Sequence, residues 1–569
     1  MKWYFIFRSN ISDLPLAENG KYVGKLLFCL LFVFLIFTQL SAQNIQIRGT
    51  VKDVSGLPVA GANIVVKGTT QGTVSDVDGN FSVGAENGSV LVISFIGYQP
   101  KEVKISGQKP LVITLQEDSQ TLGEVVAIGY GSVGKKEVTS AVSHISSKDF
   151  LNVSAINPAD QLQGKVAGVS ITNQASADPN SSTSIQIRGA SSRSAGLGPL
   201  VVIDGVPGGN LYNINENDIE SIDVLKDGAA SAIYGTRGSN GVIVVTTKRA
   251  SSEGFVNTNY NGYVSFDMIN DQPEVLSRDE FLEYKRGDDY GANTDWFKEI
   301  TRTGFTQNHA FTISGGNTLN NYRATVDYRN AKGVDLRSGR REVGGRVSLN
   351  HQGKNGLYKI ILNVAPRVIK ADNSNYGVYQ QAILLNPTQP VKNPKDPTGK
   401  TYFKTVGFGA TNPVEILKTD LDGKEIKYLD WDATFRLNLL PLLSGGEGKH
   451  SLNTQVTLAQ QINDNFTYYF RPSYNTELSE AANKKGHARR QYDKAIQQSL
   501  EWLANYTFEA NGHSARLMGG YSYQKIENSG LYAENYNFTS DALTYNNLGD
   551  GTWYKNIVTD QAGFNSWKN

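Results

Sequence analysis

The sequence predicts a multidomain, mostly β protein: an N-terminal β-sandwich, a mixed α/β region and an incomplete transmembrane antiparallel β-barrel. Three observations predict it. The 569 residues are too many for one compact core. Residues 45–115 are short apolar runs separated by Ser55-Gly56, Asp78-Gly79 and Asn87-Gly88 turn signals. From residue 255 onward, segments of about ten residues alternate apolar and polar side chains and carry charge on the polar face.

Composition supports many strands and tight turns. Gly reaches 57, Tyr 28 and Phe 23, against only 17 Pro. The formal net charge of +1 gives no basic or acidic tail, which argues against a nucleic-acid partner. The single cysteine, Cys29, lies in an apolar leader, so the mature chain has no disulfide, no cysteine zinc site and no cysteine nucleophile. Phe28 before it is too bulky for a lipoprotein cysteine. The leader covers 26–38 (LLFCLLFVFLIFT), shorter than the roughly 20 residues a spanning helix requires. Lys21 and Lys25 precede it and Ser41-Ala42-Gln43 follow, so residues 1–42 are expected to be a signal peptide.

After the leader, residues 43–117 are expected to form the sandwich. A linker follows over 118–134, then a mixed region over 135–250. That region has helix-like stretches (NPADQLQGKVAG, DGAASAIYG) among strands, and 200–203 reads as buried on both sides. Residues 251–569 form the partial barrel. Within 321–330, Tyr322, Ala324, Val326 and Tyr328 take one face, and Arg323, Thr325, Asp327 and Arg329 the other. In 514–524, Ala515, Leu517, Tyr521 and Tyr523 oppose Ser514, Arg516, Ser522 and Gln524. A soluble sandwich would not line its inner face with charge, whereas a membrane barrel needs lipid outside and a polar lumen inside. About ten such strands are expected, with 450–460 and 464–474 read as two of them.

Several motifs invite other chemistry and fail. Gly129-x-Gly131-x-x-Gly134 matches a dinucleotide fingerprint, with Asp149 downstream, but no repeated βαβ alternation follows. The near P-loop ending Gly134-Lys135-Lys136 places a lysine where Ser or Thr should hold magnesium. Asp76-x-Asp78-Gly79-Asn80 hints at a calcium loop, but Phe81 and Asn87 stand where Gly and a bidentate Glu are required, so a polar turn is expected. The six histidines are scattered, and neither HExxH nor G-x-S-x-G occurs. No enzyme, metal site or cofactor is expected.

The chain resembles known families at three places. RGTVKD, the PVAGANIVV strand, the TVSDVDGNF turn and SFIGY are similar to the carboxypeptidase regulatory-like domain, which implies a non-catalytic periplasmic module. Leu122-Gly123-Glu124-Val125-Val126-Ala127-Ile128-Gly129-Tyr130-Gly131 resembles the TonB box of the SusC/RagA family; read alone it could also be a final strand of the sandwich. The segments 157–168, Ile185-Gln-Ile-Arg-Gly189, Val202-Ile-Asp-Gly-Val-Pro207 and 219–248 resemble the plug of TonB-dependent receptors, the last very closely.

This resemblance implies energy-coupled import of an oligosaccharide or peptide-like nutrient across the outer membrane of a Gram-negative, Bacteroidota-like bacterium. Residues Gly123, Glu124, Val125, Val126, Ala127 and Ile128 would bind TonB, with ExbB and ExbD acting indirectly and the sandwich and box in the periplasm. A SusD-like surface lipoprotein would be the lid, and membrane lipid would surround the barrel. Arg188 and Arg237 would latch the plug to barrel carboxylates. The alternatives are a binding receptor or signal transducer without transport, or an inactive truncated product. Family barrels have about 22 strands, so this polypeptide by itself is expected not to transport.

Overall fold

The structure is a computed structural model. It describes residues 45–568 save 106–109, 117–124, 129–130, 135–141, 151–156, 190–195, 228–231, 251–255, 407–410, 440–449, 476–483, 511–512, 554–563 and a few single positions. The expected signal peptide lies outside the described residues. The chain divides into two compact units, one ending at Asp118 and one holding nearly all that follows.

The first unit is built from seven short strands: β1 Ile45–Lys52, β2 Asn63–Val66, β3 Gly72–Val74, β4 Asn80–Ala85, β5 Val90–Ser94, β6 Lys101–Lys104 and β7 Leu111–Thr114. They form two sheets, ordered β4-β1-β7 and β3-β2-β5-β6. Alternate residues point inward, so Ile47, Val51, Ile64, Val83, Leu91, Ile93 and Ile113 share one core. The Asp76 motif is a turn: its Oδ1 accepts from the backbone N–H groups of Asp78 (3.0 Å) and Asn80 (2.8 Å). Gly79 closes it at φ +76°, with a Cβ there falling 2.4 Å from the Val51 carbonyl oxygen, so only glycine fits.

The second unit begins with a hairpin of β8 Val125–Ile128 and β9 Gly131–Gly134. Its mixed sheet follows from β10 Val142–Ser146, β13 Leu200–Ile203, β14 Val206–Pro207, β15 Ile219–Leu225 and β16 Val242–Thr247, in the order β10-β15-β16-β13-β14. β11 Val169–Asn173 and β12 Thr183–Ile187 pair separately. The two helix-like stretches are short 3-10 turns, Pro158–Leu162 and Ala232–Gly238, because Gly and Pro flank or interrupt each. The strands buried on both faces are β15 and β16 rather than 200–203, whose first two residues are only half-buried. Ile243 and Val245 enter one core with Ile222 and Val224, while Val242 and Val244 enter another with Leu225 and Tyr234.

Around this domain lies one ten-stranded antiparallel sheet. Its strands are β17 Asn257–Asp267, β18 Gly304–Gly316, β19 Asn320–Lys332, β20 Gly339–Gln352, β21 Tyr358–Asp372, β22 Leu421–Asn438, β23 His450–Arg471, β24 His487–Ala510, β25 His513–Tyr536 and β26 Phe564–Lys568. Each pairs with the next in sequence. The expected strands 450–460 and 464–474 are a single strand, β23, because its polar run Gln460-Gln461-Ile462-Asn463 stays paired with β24. β26 was not anticipated from the sequence.

The sheet is inside out relative to a soluble protein. In β19, Val326 is 62% exposed while its neighbour Asp327 is 2% exposed. Thr325, Arg329, Arg340, Glu342, Arg367, Thr457 and Glu501 are likewise buried, while Phe311, Val343, Leu362, Leu458 and Trp502 stand in the open. Burying charge and exposing apolar side chains is what hydrocarbon outside and a filled polar lumen demand. Connections at the two rims are unequal: 317–319, 353–357, 439–449 and 511–512 at one end, against 268–303, 333–338, 373–420, 472–486 and 537–563 at the other. Two of the long loops pack together through Trp296, Ile300, Val378, Val414, Ile416 and Leu417. Among the described residues no helix is long and apolar enough to cross a membrane, which says nothing of the strands.

Candidate functional site

The mixed domain fills the concave side of the sheet through polar contacts, centred on one short segment. Residues 210–219 read NLYNI-NENDI: Asn210 and Asn215 each cap a three-residue 3-10 turn, Leu211–Asn213 and Glu216–Asp218. The side-chain oxygens accept from the N–H groups of Tyr212 (3.0 Å) and Asn217 (2.9 Å). Leu211, Ile214 and Ile219 are thereby fixed in the core. That anchoring leaves Asn213, Glu216, Asn217 and Asp218 to meet the surrounding strands.

The contacts are ionic and specific. A guanidinium nitrogen of Arg329 in β19 donates to both Glu216 oxygens at 3.0 Å. Asp218 accepts from Arg323 at 3.1 Å and from the Thr325 hydroxyl at 2.7 Å. Asn308 of β18 donates to Glu216 at 3.2 Å, and Asn261 of β17 to Asn217 at 2.9 Å. Asn213 bonds Asp430 of β22. A second acidic point is Asp204, at φ +50° in the Asp-Gly turn between β13 and β14. It accepts from the Thr247 N–H (2.9 Å) and hydroxyl (2.7 Å) and pairs with Arg346 of β20.

Behind these contacts the wall carries its own buried network. Arg367 grips Asp327 with two contacts of 2.9 Å and reaches Glu342 at 3.2 Å; Arg340 also pairs with Glu342. Gly344 leaves room beside it, since a Cβ there would lie 2.6 Å from the Arg367 guanidinium carbon and make that side chain shift. Arg340 also stands over the Tyr212 ring at 5.9 Å.

Across this contact the charges stand opposite to the expected Arg188 and Arg237 arrangement. Carboxylates of the inner domain meet arginines of the wall. Arg188 is exposed at φ +61° just after β12, and among the described residues it pairs with no wall carboxylate. Its backbone turns there to donate N–H to the Gly168 carbonyl (2.7 Å), and the side chain is left in the open. Arg237 does reach the wall, but at the Gln524 amide (2.8 Å) and the Ser522 hydroxyl (3.3 Å). Ser522 in turn donates to Glu501 at 2.6 Å, so the carboxylate stands one hydroxyl away. The repeated Asn-x-x-x-Ile of 210–219 was the signal that could have revealed Glu216 and Asp218.

Of the expected TonB-binding residues, Gly123 and Glu124 lie outside the described residues. Val125, Val126, Ala127 and Ile128 are β8, paired on one edge with Gly134, Val133, Ser132 and Gly131 of β9. At the long-loop rim, Arg337, Asn373, Tyr376, Asp420, Asp422 and Tyr469 line a cavity of about 200 Å³. Tyr376 donates to Asp178 of the inner domain at 2.6 Å, and burial pushes the Asp178 carboxyl above its usual range. The Asn180 side chain donates to the carbonyls of Asp372 (2.7 Å) and Gly339 (3.1 Å).

The model of the TonB-dependent Receptor Plug Domain matches residues 134–242, the CarboxypepD_reg-like domain model matches 47–127, and the chain is 35% identical over 493 residues to TonB-dependent receptor SusC of Bacteroides thetaiotaomicron. The chain is of the SusC/RagA type of TonB-dependent receptor. The SusC match covers 79% of this chain and 49% of that protein. TonB-dependent receptor P3 of Formosa agariphila is 30% identical, over 94% of this chain and 53% of its own length. The RagAB peptide importer in its open-open state aligns with a TM-score of 0.65 at 21% identity, over 78% of this chain and 53% of that one. The chain thus spans about half the length of the relatives it matches. In SusC/RagA terms, the inner mixed domain is the plug and the inside-out sheet is barrel wall.

Proposed function

We propose that the receptor containing this chain imports a nutrient across the outer membrane, with energy delivered through TonB. The observation that carries the reading is the plug's attachment. It is held in the wall by hydrogen bonds and ion pairs, which can be exchanged for other polar partners as the plug shifts. The short-turn rim faces the periplasm and the long-loop rim the exterior. Residues 123–128 engage TonB by strand addition, on the edge of β8 that among the described residues has no strand neighbour, or by displacing β9. ExbB and ExbD act through TonB, and a SusD-like lipoprotein closes the long-loop side.

Cargo enters at the cavity around Tyr376, whose contact with Asp178 ties the outer loop to the plug. The likeness to the RagAB peptide importer supports peptide-like cargo, and oligosaccharide is the other class that the SusC/RagA resemblance implies. Deleting residues 122–128 in the full-length receptor tests the mechanism. Uptake is expected to vanish while surface binding stays; uptake that persists would sink the coupling, and binding without uptake in the unaltered receptor would favour a pure binding receptor.

A further inference from the structure

The inward face of β19, β20 and β21 is strongly unbalanced in charge. It presents Arg323, Arg329, Arg340, Arg346 and Arg367, with Lys359 nearer the short-turn rim. Only Asp327 and Glu342 oppose them on those strands, and both are already held by Arg367 and Arg340. The plug supplies the missing charge through Glu216, Asp218 and Asp204, one each for Arg329, Arg323 and Arg346. On the adjacent strand Asp430 is engaged by Asn213, and Asp432 by Asn363 at 2.9 Å. At the short-turn end Arg249 lies close enough to Lys359 and Arg436 to repel both.

The arginines also retain donors. Among the described residues, the buried Nε–H groups of Arg323, Arg346 and Arg367 have no hydrogen-bond partner. Each guanidinium offers five donors in a planar fork suited to a carboxylate, and one plug carboxylate cannot occupy them all. A plug that shifts away takes its three carboxylates with it, and the uncompensated guanidinium groups it leaves are costly in a confined, low-dielectric passage.

We infer that the cargo is anionic: a carboxylate-bearing oligomer takes over, in passage, the arginines that the plug's acidic turns neutralise at rest. The plug segment 204–218 is then a built-in stand-in for the cargo. This rests on the import reading for its direction, but the basic character of the wall is measurable without TonB.

The test uses the full-length receptor in planar bilayers under a KCl gradient. Glu216→Gln with Asp218→Asn loosens the plug without touching the wall; excision of residues 135–250 opens the channel if that pair leaves it shut. The reversal potential should show chloride favoured over potassium by about fivefold or more. Adding Arg323→Gln and Arg329→Gln should remove most of that preference. Tetragalacturonate, tetraglutamate or both should block the current, and maltotetraose of the same length should not. The two anionic probes distinguish a sugar from a peptide source of the carboxylates. Cation preference, absent preference, or equal block by maltotetraose would overturn the inference. Absence of TonB-dependent uptake by the unaltered receptor, with chloride preference intact, would instead count against the import reading alone.

Discussion

Glu216 of the plug receives Arg329 of the wall through both carboxylate oxygens, each at 3.0 Å from one guanidinium nitrogen. The arginine is almost fully buried, while the glutamate keeps 18% of its side chain exposed. Removing one member of such a pair leaves the other charged in a poor solvent, a cost of about 3–5 kcal/mol. Glu216→Gln is expected at the lower end, since Glu342 lies near enough to compensate Arg329 in part. Faster amide hydrogen exchange over residues 211–225 would report the loosening. Arg329→Gln in the same chain should recover about 1–3 kcal/mol of it; strictly additive effects would show that the pair is not coupled.

Arg188 should behave differently. Its guanidinium is exposed and its backbone is left-handed, so Arg188→Gly is expected to be neutral or to raise the melting temperature slightly. Arg188→Ala should cost less than about 1 kcal/mol. A larger loss in either would restore a latch role for this residue.

The plug acids Asp160 and Asp178 give a signed pH effect. Burial raises both pKa values above 3.8; hydrogen bonds from Thr183 and Tyr376 oppose it only in part. The folded plug therefore binds more protons than the unfolded chain between pH 3.8 and the raised values. Their contribution to stability falls as pH rises through that window and is level above it. Asp178→Asn keeps the acceptor for Tyr376 and should shrink the slope without abolishing it, because Asp160 still titrates. Denaturant midpoints measured from pH 4 upward, at about half-unit steps, check this; an unchanged slope would rule out Asp178 as a contributor.

Gly79 predicts the behaviour of the first unit. Gly79→Ala must place a Cβ against the Val51 carbonyl at φ +76°, so a loss of about 1–3 kcal/mol is expected. Limited proteolysis of the intact chain should then cut within residues 45–115 sooner than in the parent. Asp76→Ala, which removes only the acceptor of two turn N–H groups, should cost less.

Much of this architecture was already legible in local sequence. Alternation with charge on one face can only be satisfied by strands with a polar interior, and Val326 beside Asp327 shows the pattern realised in space. The Gly and Pro punctuation located the sandwich and plug elements. Local pattern could not reveal that β23 runs unbroken through Gln460–Asn463, because only pairing with β24 makes a polar stretch a strand.

The sequence by itself determined the inside-out sheet and the plug text, since each depends on side chains within about ten residues of one another. The tertiary structure alone decided which charges meet. Arg188 and Arg237 were arginines in plug motifs, and although the repeated Asn-x-x-x-Ile marks the turns of Glu216 and Asp218, nothing local says which wall groups those carboxylates meet. The choice is made by where two capped 3-10 turns and one Asp-Gly turn hold those carboxylates: within reach of arginines more than a hundred residues away, on strands whose register fixes where the guanidinium groups lie.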